Sequence, residues 1–463
     1  MFLIVVISFS LSTVVVQMEP NVDSSYIAAV YEHNVIQASD PVIPVSRSDA
    51  LRNMQKNLDI YEVQAAKAAK QDVQILVFPE AGILGFLFTT RLSIFNYLET
   101  IPDPQKESWN PCTELGKYNN TEVLQRLSCM ARNHNIYLVA NMGDLQPCPM
   151  MTDLSSSCPP DGHWQFNTNV VFRSDGLLVA RYHKQHLYRE IYFDPPPKPE
   201  IITFDTPFAG KFGLITCFDI IFYQPTIELI EKGVRQLIFP TGWLNTFPFL
   251  DSVQFQSAFS LGANVTLLAA NLRKETVPIT SGYKTMTGSG IYTPDSATYH
   301  HAQKGDPEEG KLLVASVPVP QWVGQNVDTE KGSVRAPKTV SSVPPSSSTF
   351  HSSVKYDPLT FVLLTETEGK VNVCNGTFCC HLQYRLIPQG DSNELYALGA
   401  FAGKHNERFF IQVCALIRCA GNDVSSCGQE VLEAESKFDF VLEGTFGTTY
   451  VYPSVLASRF VLE

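Results

Sequence analysis

Basic residues are the scarce class in this chain: 34 Lys and Arg stand against 46 Asp and Glu among 463 residues, a formal net charge of -12. No basic tract interrupts that balance, so nucleic acid, which is bound through clustered Lys and Arg, is excluded as a partner. Long hydrophobic runs are as rare. The one that opens the chain, Met1 to Val16, is too short for a comfortable membrane span and leads into Gln17-Met18-Glu19-Pro20. It is expected to be the core of a signal peptide over residues 1–17, although the usual basic n-region is missing. An apolar tail at the other end is also lacking, so no glycolipid membrane anchor is expected. What remains is the composition of a globular protein, and the length suits two domains.

Cysteine is not scarce, and its arithmetic points outside the cell. Of eleven cysteines, ten can pair into five disulfides in an oxidising compartment, which leaves one over. Cys217 is the isolated one; Cys112/Cys129 and Cys148/Cys158 are close neighbours, and six more cluster from Cys374 onward. An unpaired thiol in a secreted protein calls for a reason, and catalysis is the usual one. Three glycosylation sequons fit the same compartment, at Asn119, Asn264 and Asn375, with Asn264 expected to be the most buried because an apolar strand follows it.

Apolar periodicity predicts strands at Tyr26 to Tyr31, Val73 to Phe78 and Ile136 to Asn141. A hairpin is expected from Asn169 to Tyr182, and further strands at Phe212 to Thr216, Gln236 to Phe239 and Thr266 to Asn271. Helical stripes fall between them: one capped by Ser46 or Ser48, one from Thr121 to Arg132, and two near Pro225 to Gly233 and Ser252 to Gly262. Alternating strands and helices define an α/β layered core with a mixed sheet, over residues 24–323. A Ser- and Pro-rich stretch over 324–353 reads as a linker. Short alternating runs with six cysteines make residues 354–463 a smaller, disulfide-stapled β domain.

Three groups stand where apolar strands end: Glu80, Lys184 and Cys217. The crevice beyond strand ends in open α/β sheets collects functional side chains, so the three are expected to meet. Together they form a complete set for acyl transfer at an amide. Glu80 accepts the thiol proton, Cys217 attacks the carbonyl, and Lys184 with the backbone N–H of Phe218 holds the oxyanion, Lys184 also being able to donate a proton. A helix start after Cys217 and the Lys184 ammonium both favour thiolate, and Asp219 is expected to be the N-cap of that helix. Phe86 and Trp243 are candidates for an apolar substrate pocket, with core packing the alternative. Glu190 could support Lys184 from its other side, and an exposed charge is the blander reading. His183 and His186 flank Lys184, but no third ligand of matching context follows, so neither metal nor other cofactor is expected; His183 is read as orienting near the site or facing solvent.

The stretches Leu76 to Glu80 (LVFPE), Tyr182 to Leu187 (YHKQHL) and Leu214 to Asp219 (LITCFD) resemble, in order, the three motifs of the nitrilase, or carbon–nitrogen hydrolase, superfamily. That resemblance implies an αββα sandwich and a Glu-Lys-Cys triad carried by Glu80, Lys184 and Cys217. A narrower resemblance, to the biotinidase and vanin (pantetheinase) branch, rests on Ala28 to His33, Trp109 to Cys112, Glu122 to Cys129, Met286 to Ile291, Cys379-Cys380, Tyr396 to Gly399 and Gly444 to Gly447. Asn57 to Glu62, Phe166 to Phe172, Ile202 to Gly210, Gln412 to Leu416 and Phe86 resemble the biotinidase side of the branch more closely. The implied substrate is a small-molecule amide, with biotinyl-lysine or a biotinyl peptide favoured and pantetheine the alternative.

Three features depart from the family's pattern. Ala81 stands where Asp is usual, Gly242 and Leu244 stand where Ala and Met are more frequent, and the chain ends at Glu463, short of a further segment usual in the family. The expectation from the last is a fragment or a shorter form. A binding or adhesion protein that keeps the fold without hydrolysis is the reading from another class, but it places no demand on all three triad residues. A papain-like protease is weaker, because Cys217 lacks the Cys-Gly-Ser-Cys-Trp context.

Overall fold

The computed structural model describes residues 24–453, apart from 39, 149–157, 246–250, 280–281, 304, 321–347, 355–356, 388–393, 406, 408, 430 and 432–433. The expected signal peptide and most of the expected linker lie outside the described residues. The first sheet is built from β1 (Ser25–His33), β2 (Ile75–Val77), β3 (Tyr137–Pro147), β4 (His163–Phe172) and β5 (Leu178–His183). The second takes β6 (Thr203–Thr206), β7 (Gly210–Leu214), β8 (Gln236–Thr241) and β9 (Thr266–Asn271). A separate hairpin, β10 (Lys274–Ile279) and β11 (Gly282–Met286), precedes β12 (Ser289–Tyr292) and β13 (Ala297–His300), which join the second sheet, and β14 (Gly310–Pro318), which returns to the first. The orders are β14-β1-β2-β3-β4-β5 and β13-β12-β9-β8-β7-β6, parallel at the centre and antiparallel at the flanks.

Side-chain alternation explains the layering. On β2, Ile75 and Val77 face Phe212, Leu214, Ile238 and Leu268 of the other sheet, while Leu76, and Phe78 just past the strand, face outward. The outward face is covered by the helices Arg47–Ala69 and Glu122–His134 through Met54, Leu58, Tyr61, Leu124 and Leu127. Helix Ser252–Ala263 and the turn at Leu229 and Ile230 cover the second sheet in the same way. A continuous apolar run therefore marks a strand buried on both faces, and the result is the αββα sandwich. Ser46 caps the first helix by accepting from the Asp49 N–H.

The sheets are also tied through Gly288, whose N–H donates to the buried Glu32 carboxylate at 2.8 Å. Its φ is +102°, and a Cβ added there would stand 1.9 Å from Ser252 Oγ, so only glycine fits. Gly288→Ala should lower stability by about 2 kcal/mol or more, read as a shift of the urea unfolding midpoint.

The second domain comprises β15 (Thr349–Val354), β16 (Asp357–Leu363), β17 (Glu368–Asn375), β18 (Phe378–Ile387), β19 (Tyr396–His405), β20 (Phe409–Arg418) and β21 (Lys437–Gly444). They form sheets β15-β16-β19-β20 and β17-β18-β21, packed on each other through Val362, Leu398, Val373 and Leu382. Residues 349–353, expected in the linker, are the start of β15. The five disulfides are Cys112–Cys129, Cys148–Cys158, Cys374–Cys379, Cys380–Cys414 and Cys419–Cys427, and Cys217 is the free thiol. Cys380–Cys414 joins the two sheets of this domain. Asn119 is exposed, and so is Asn264, against the expectation, because it caps its helix in the left-handed region (φ +54°) ahead of the strand. Asn375 is half-buried, with its side-chain amide donating to Thr360 Oγ1 at 3.2 Å. Among the described residues, no helix is long and apolar enough to cross a membrane.

Candidate functional site

Glu80, Lys184 and Cys217 meet. Glu80 follows β2, Lys184 follows β5, and Cys217 follows β7, so the site lies where strands of both sheets end. All three are buried, at 4%, 1% and 7% exposure. Lys184 Nζ donates to Glu80 Oε1 at 2.6 Å and also to Glu190 Oε1. Glu80 takes two further bonds, from Asn167 Nδ2 at 2.8 Å and from the Gly242 N–H at 2.8 Å. Burial pushes the Glu80 carboxyl up, but the Lys184 ammonium and these bonds outweigh it and hold Glu80 below its ordinary value. Burial works against the Lys184 charge too, and the Glu190 and Glu80 carboxylates overcome it, raising Lys184 well above its ordinary value.

The surroundings of Cys217 work against the expected ready thiolate. Burial first, and then the Glu80 charge, push the Cys217 thiol up, and Lys184 offsets them only in part. The expected helix is a five-residue 3-10 turn, Cys217–Ile221, too short for a useful dipole. The surroundings therefore favour a neutral Cys217 thiol beside an ionised Glu80 carboxylate.

Cys217 itself has φ +43°, a left-handed conformation that costs an L-residue energy and persists only when its surroundings hold it. Asp219 does part of that holding, from a position other than the one expected. It is not the N-cap; Thr216 is, and the Asp219 carboxylate accepts from the Thr216 N–H at 3.0 Å, the Tyr182 hydroxyl at 2.7 Å and the His186 N–H at 2.9 Å. Burial raises Asp219 to about 7. Phe218, second in the turn, carries one of the amides that a helix start leaves without an intrahelical partner.

Glu190 is not an exposed charge: its side chain is 14% exposed and paired with Lys184. Burial, together with the Glu80 charge, raises its pKa, so the two carboxyls flanking one ammonium are driven apart. His183 does not face solvent either. Its Nδ1 lies 2.8 Å from Glu200 Oε1 and its Nε2 lies 2.9 Å from Asp144 Oδ2, and the two carboxylates outweigh burial and raise its pKa. His186 stacks on Phe222 at 3.7 Å. Among the described residues no group of three or more His, Cys, Asp or Glu is arranged to hold a metal ion.

Trp243 is buried in the apolar cluster that includes Cys217 and stacks on Phe255 at 5.4 Å. Phe86 is half-buried and packs with Ala81 and Leu244 against Val35, Leu272 and Met286. Of the departures from the family's pattern, Ala81 follows Glu80 directly, Gly242 donates its N–H to it, and Leu244 packs in the cluster with Ala81. A Cβ on Gly242 would stand 3.3 Å from Glu80 Oε2, so glycine there permits the close approach of its N–H.

Three asparagines carry a network that the sequence pattern did not announce. Asn141 Nδ2 donates to Asn167 Oδ1 at 2.6 Å and to Asn169 Oδ1 at 2.9 Å, its own Oδ1 accepts from the Ala81 N–H at 2.8 Å, and Asn169 Nδ2 reaches Thr216 Oγ1 at 2.9 Å. This chain of amides ties the Glu80 loop to the Cys217 turn. The available signal was polar residues, Asn167 and Asn169, set inside a strand that is otherwise apolar.

The carbon-nitrogen hydrolase family model matches residues 28–274, and the vanin C-terminal domain model matches residues 348–462. The chain is similar to the biotinidase of Takifugu rubripes, 62% identical over 98% of this chain and 91% of that protein. It is similar to the biotinidase of Mus musculus at 44% identity, over 95% of this chain and 86% of that protein. The pantetheinase of Mus musculus is also 44% identical, over 94% of this chain and 82% of that protein.

Proposed function

Because the chain belongs to the carbon–nitrogen hydrolase family, in its biotinidase and vanin branch, we propose that it is a secreted amidase that cleaves a linear amide through a thioester on Cys217 and releases biotin from biotinyl-lysine or biotinyl peptides. The observation that carries the chemistry is a buried Cys217 thiol at strand ends shared with Glu80, whose carboxylate takes the Lys184 ammonium at 2.6 Å and is held ionised by it. Glu80 takes the thiol proton as Sγ attacks the carbonyl carbon, and the carbonyl oxygen gains the negative charge. Lys184 and the Phe218 N–H stabilise that oxygen. Collapse breaks the C–N bond, and the amine leaves with the proton held by Glu80. Water, deprotonated by Glu80, then attacks the thioester, and the acid departs as the proton returns to Cys217. Five disulfides favour an oxidising compartment, which agrees with secretion.

Biotin is favoured by the relative at 62% identity; the pantetheinase at 44% matches as well as the mouse biotinidase does and supports pantetheine as the second reading. The test is release of biotin from biotinyl-lysine beside release of pantothenate from pantetheine, with kcat/KM for each. Biotin release is expected to dominate. A kcat/KM higher for pantetheine overturns the biotin assignment, and turnover of neither overturns both.

A further inference from the structure

The Cys217 turn is touched from the second domain. Phe409, the first residue of β20, lies 5.7 Å from Phe218 in an edge-to-face arrangement and 6.4 Å from Phe222. Phe218 has two other aromatic neighbours, Tyr188 at 5.1 Å and Phe222 at 5.1 Å. Phe409 is backed by its β19 partner His405, 5.3 Å away, and His405 Nδ1 in turn lies 2.5 Å from Asp357 Oδ2. The collar also reaches the carboxylate side of the site, since the Tyr188 N–H donates to Glu190, which takes Lys184 on its other oxygen.

We propose that Phe409 is a positioning residue, through which the second domain holds the Phe218 ring and so fixes the backbone N–H next to Cys217 on the oxyanion. The need for such a hold follows from φ +43° at Cys217. A left-handed turn relaxes unless its neighbours pin it; Asp219 and Asn169 pin it through Thr216, and Phe218, between Cys217 and Asp219, is met by rings. Among the described residues the Phe218 side chain is held by three rings, and one of the three comes from another domain. Edge-to-face pairs have a preferred geometry, so a ring at 409 does more than fill volume. Charge on the oxyanion develops in the transition state and not in the bound substrate, so a misplaced N–H is felt in kcat and not in KM.

The inference rests on the reading of Cys217 as nucleophile. The test uses the full chain with Phe409→Ala, Phe409→Tyr and Phe410→Ala, the last being the neighbour that is 77% exposed. Active sites are counted by alkylation of Cys217 with iodoacetamide, so that kcat refers to folded enzyme. Phe409→Ala should lower kcat about 10-fold with KM within about twofold, Phe409→Tyr should restore it, and Phe410→Ala should leave it unchanged. If Phe409→Ala is not secreted, Phe409→Leu makes the same test, keeping apolar bulk without the ring. An unchanged kcat per alkylated site, or a rise in KM alone, overturns the proposal. Hydrolysis that survives Cys217→Ala overturns the nucleophile reading instead, whereas an inactive Cys217→Ala beside a fully active Phe409→Ala overturns only the role of Phe409.

Discussion

Alanine in place of Cys217 should bring amide hydrolysis to background, a loss of about 10⁴-fold or more. Glutamine in place of Glu80 should lower it about 10³-fold while making the thiol more acidic. The two effects of Glu80→Gln run in opposite directions for one physical reason. Burial and the Glu80 charge push the Cys217 thiol up, and Lys184 pulls it down. Glutamine removes the Glu80 charge and leaves the ammonium, so the pH midpoint for alkylation by iodoacetamide should move to lower pH. A more acidic thiol would make a faster enzyme if thiolate supply limited the reaction. It makes a slower one if the carboxylate must take the proton during attack and activate water afterwards. Parallel measurement of hydrolysis and of the alkylation midpoint separates the two. Faster hydrolysis in Glu80→Gln, or an unmoved midpoint, would count against Glu80 as the base.

That thiol also shows where sequence stops being informative. Cys217 was legible by elimination, because ten other cysteines could pair and it stood alone. Glu80 and Lys184 were legible because each ends an apolar strand, and strand ends converge in a layered α/β fold. The acidity of Cys217 was not, because it depends on a balance of burial and charge set by residues distant in sequence. The same limit hid the burial of Glu190, since nothing in its local pattern hinted that its side chain closes over the ammonium. Asp219 was placed one role away, as a cap instead of the third residue of the turn, because a turn of five residues and a longer helix begin alike. Phe409 left no trace at all in the first domain's sequence, since its contact exists only once two domains pack.

Methionine in place of Lys184 should cost activity and stability together, and the stability loss should depend on pH. Lys184 is 1% exposed and pairs with two buried carboxyls, Glu80 and Glu190. Removing one partner of a buried pair typically costs about 3–5 kcal/mol, since a charge is left without a counterion. Hydrolysis should fall about 10³-fold, because the oxyanion loses a cation and Glu80 loses the charge that keeps it ionised. In the native chain Glu80 lies below its ordinary value, so its ionised form contributes stability above the unfolded pKa, and that contribution disappears as pH falls through the folded value. In Lys184→Met the sign reverses. Both carboxyls then titrate above their unfolded values, stability is lost above the unfolded pKa, and it returns as pH falls and the groups protonate. Denaturant unfolding should therefore show a wide gap between variant and native chain at about pH 7 that narrows towards about pH 5. Adding Glu190→Gln to Lys184→Met should restore part of the stability at neutral pH, because one buried charge is gone, and none of the activity. A gap that stays constant with pH would mean that Lys184 supports the fold by packing alone and that its charge is not what keeps Glu80 ready to act.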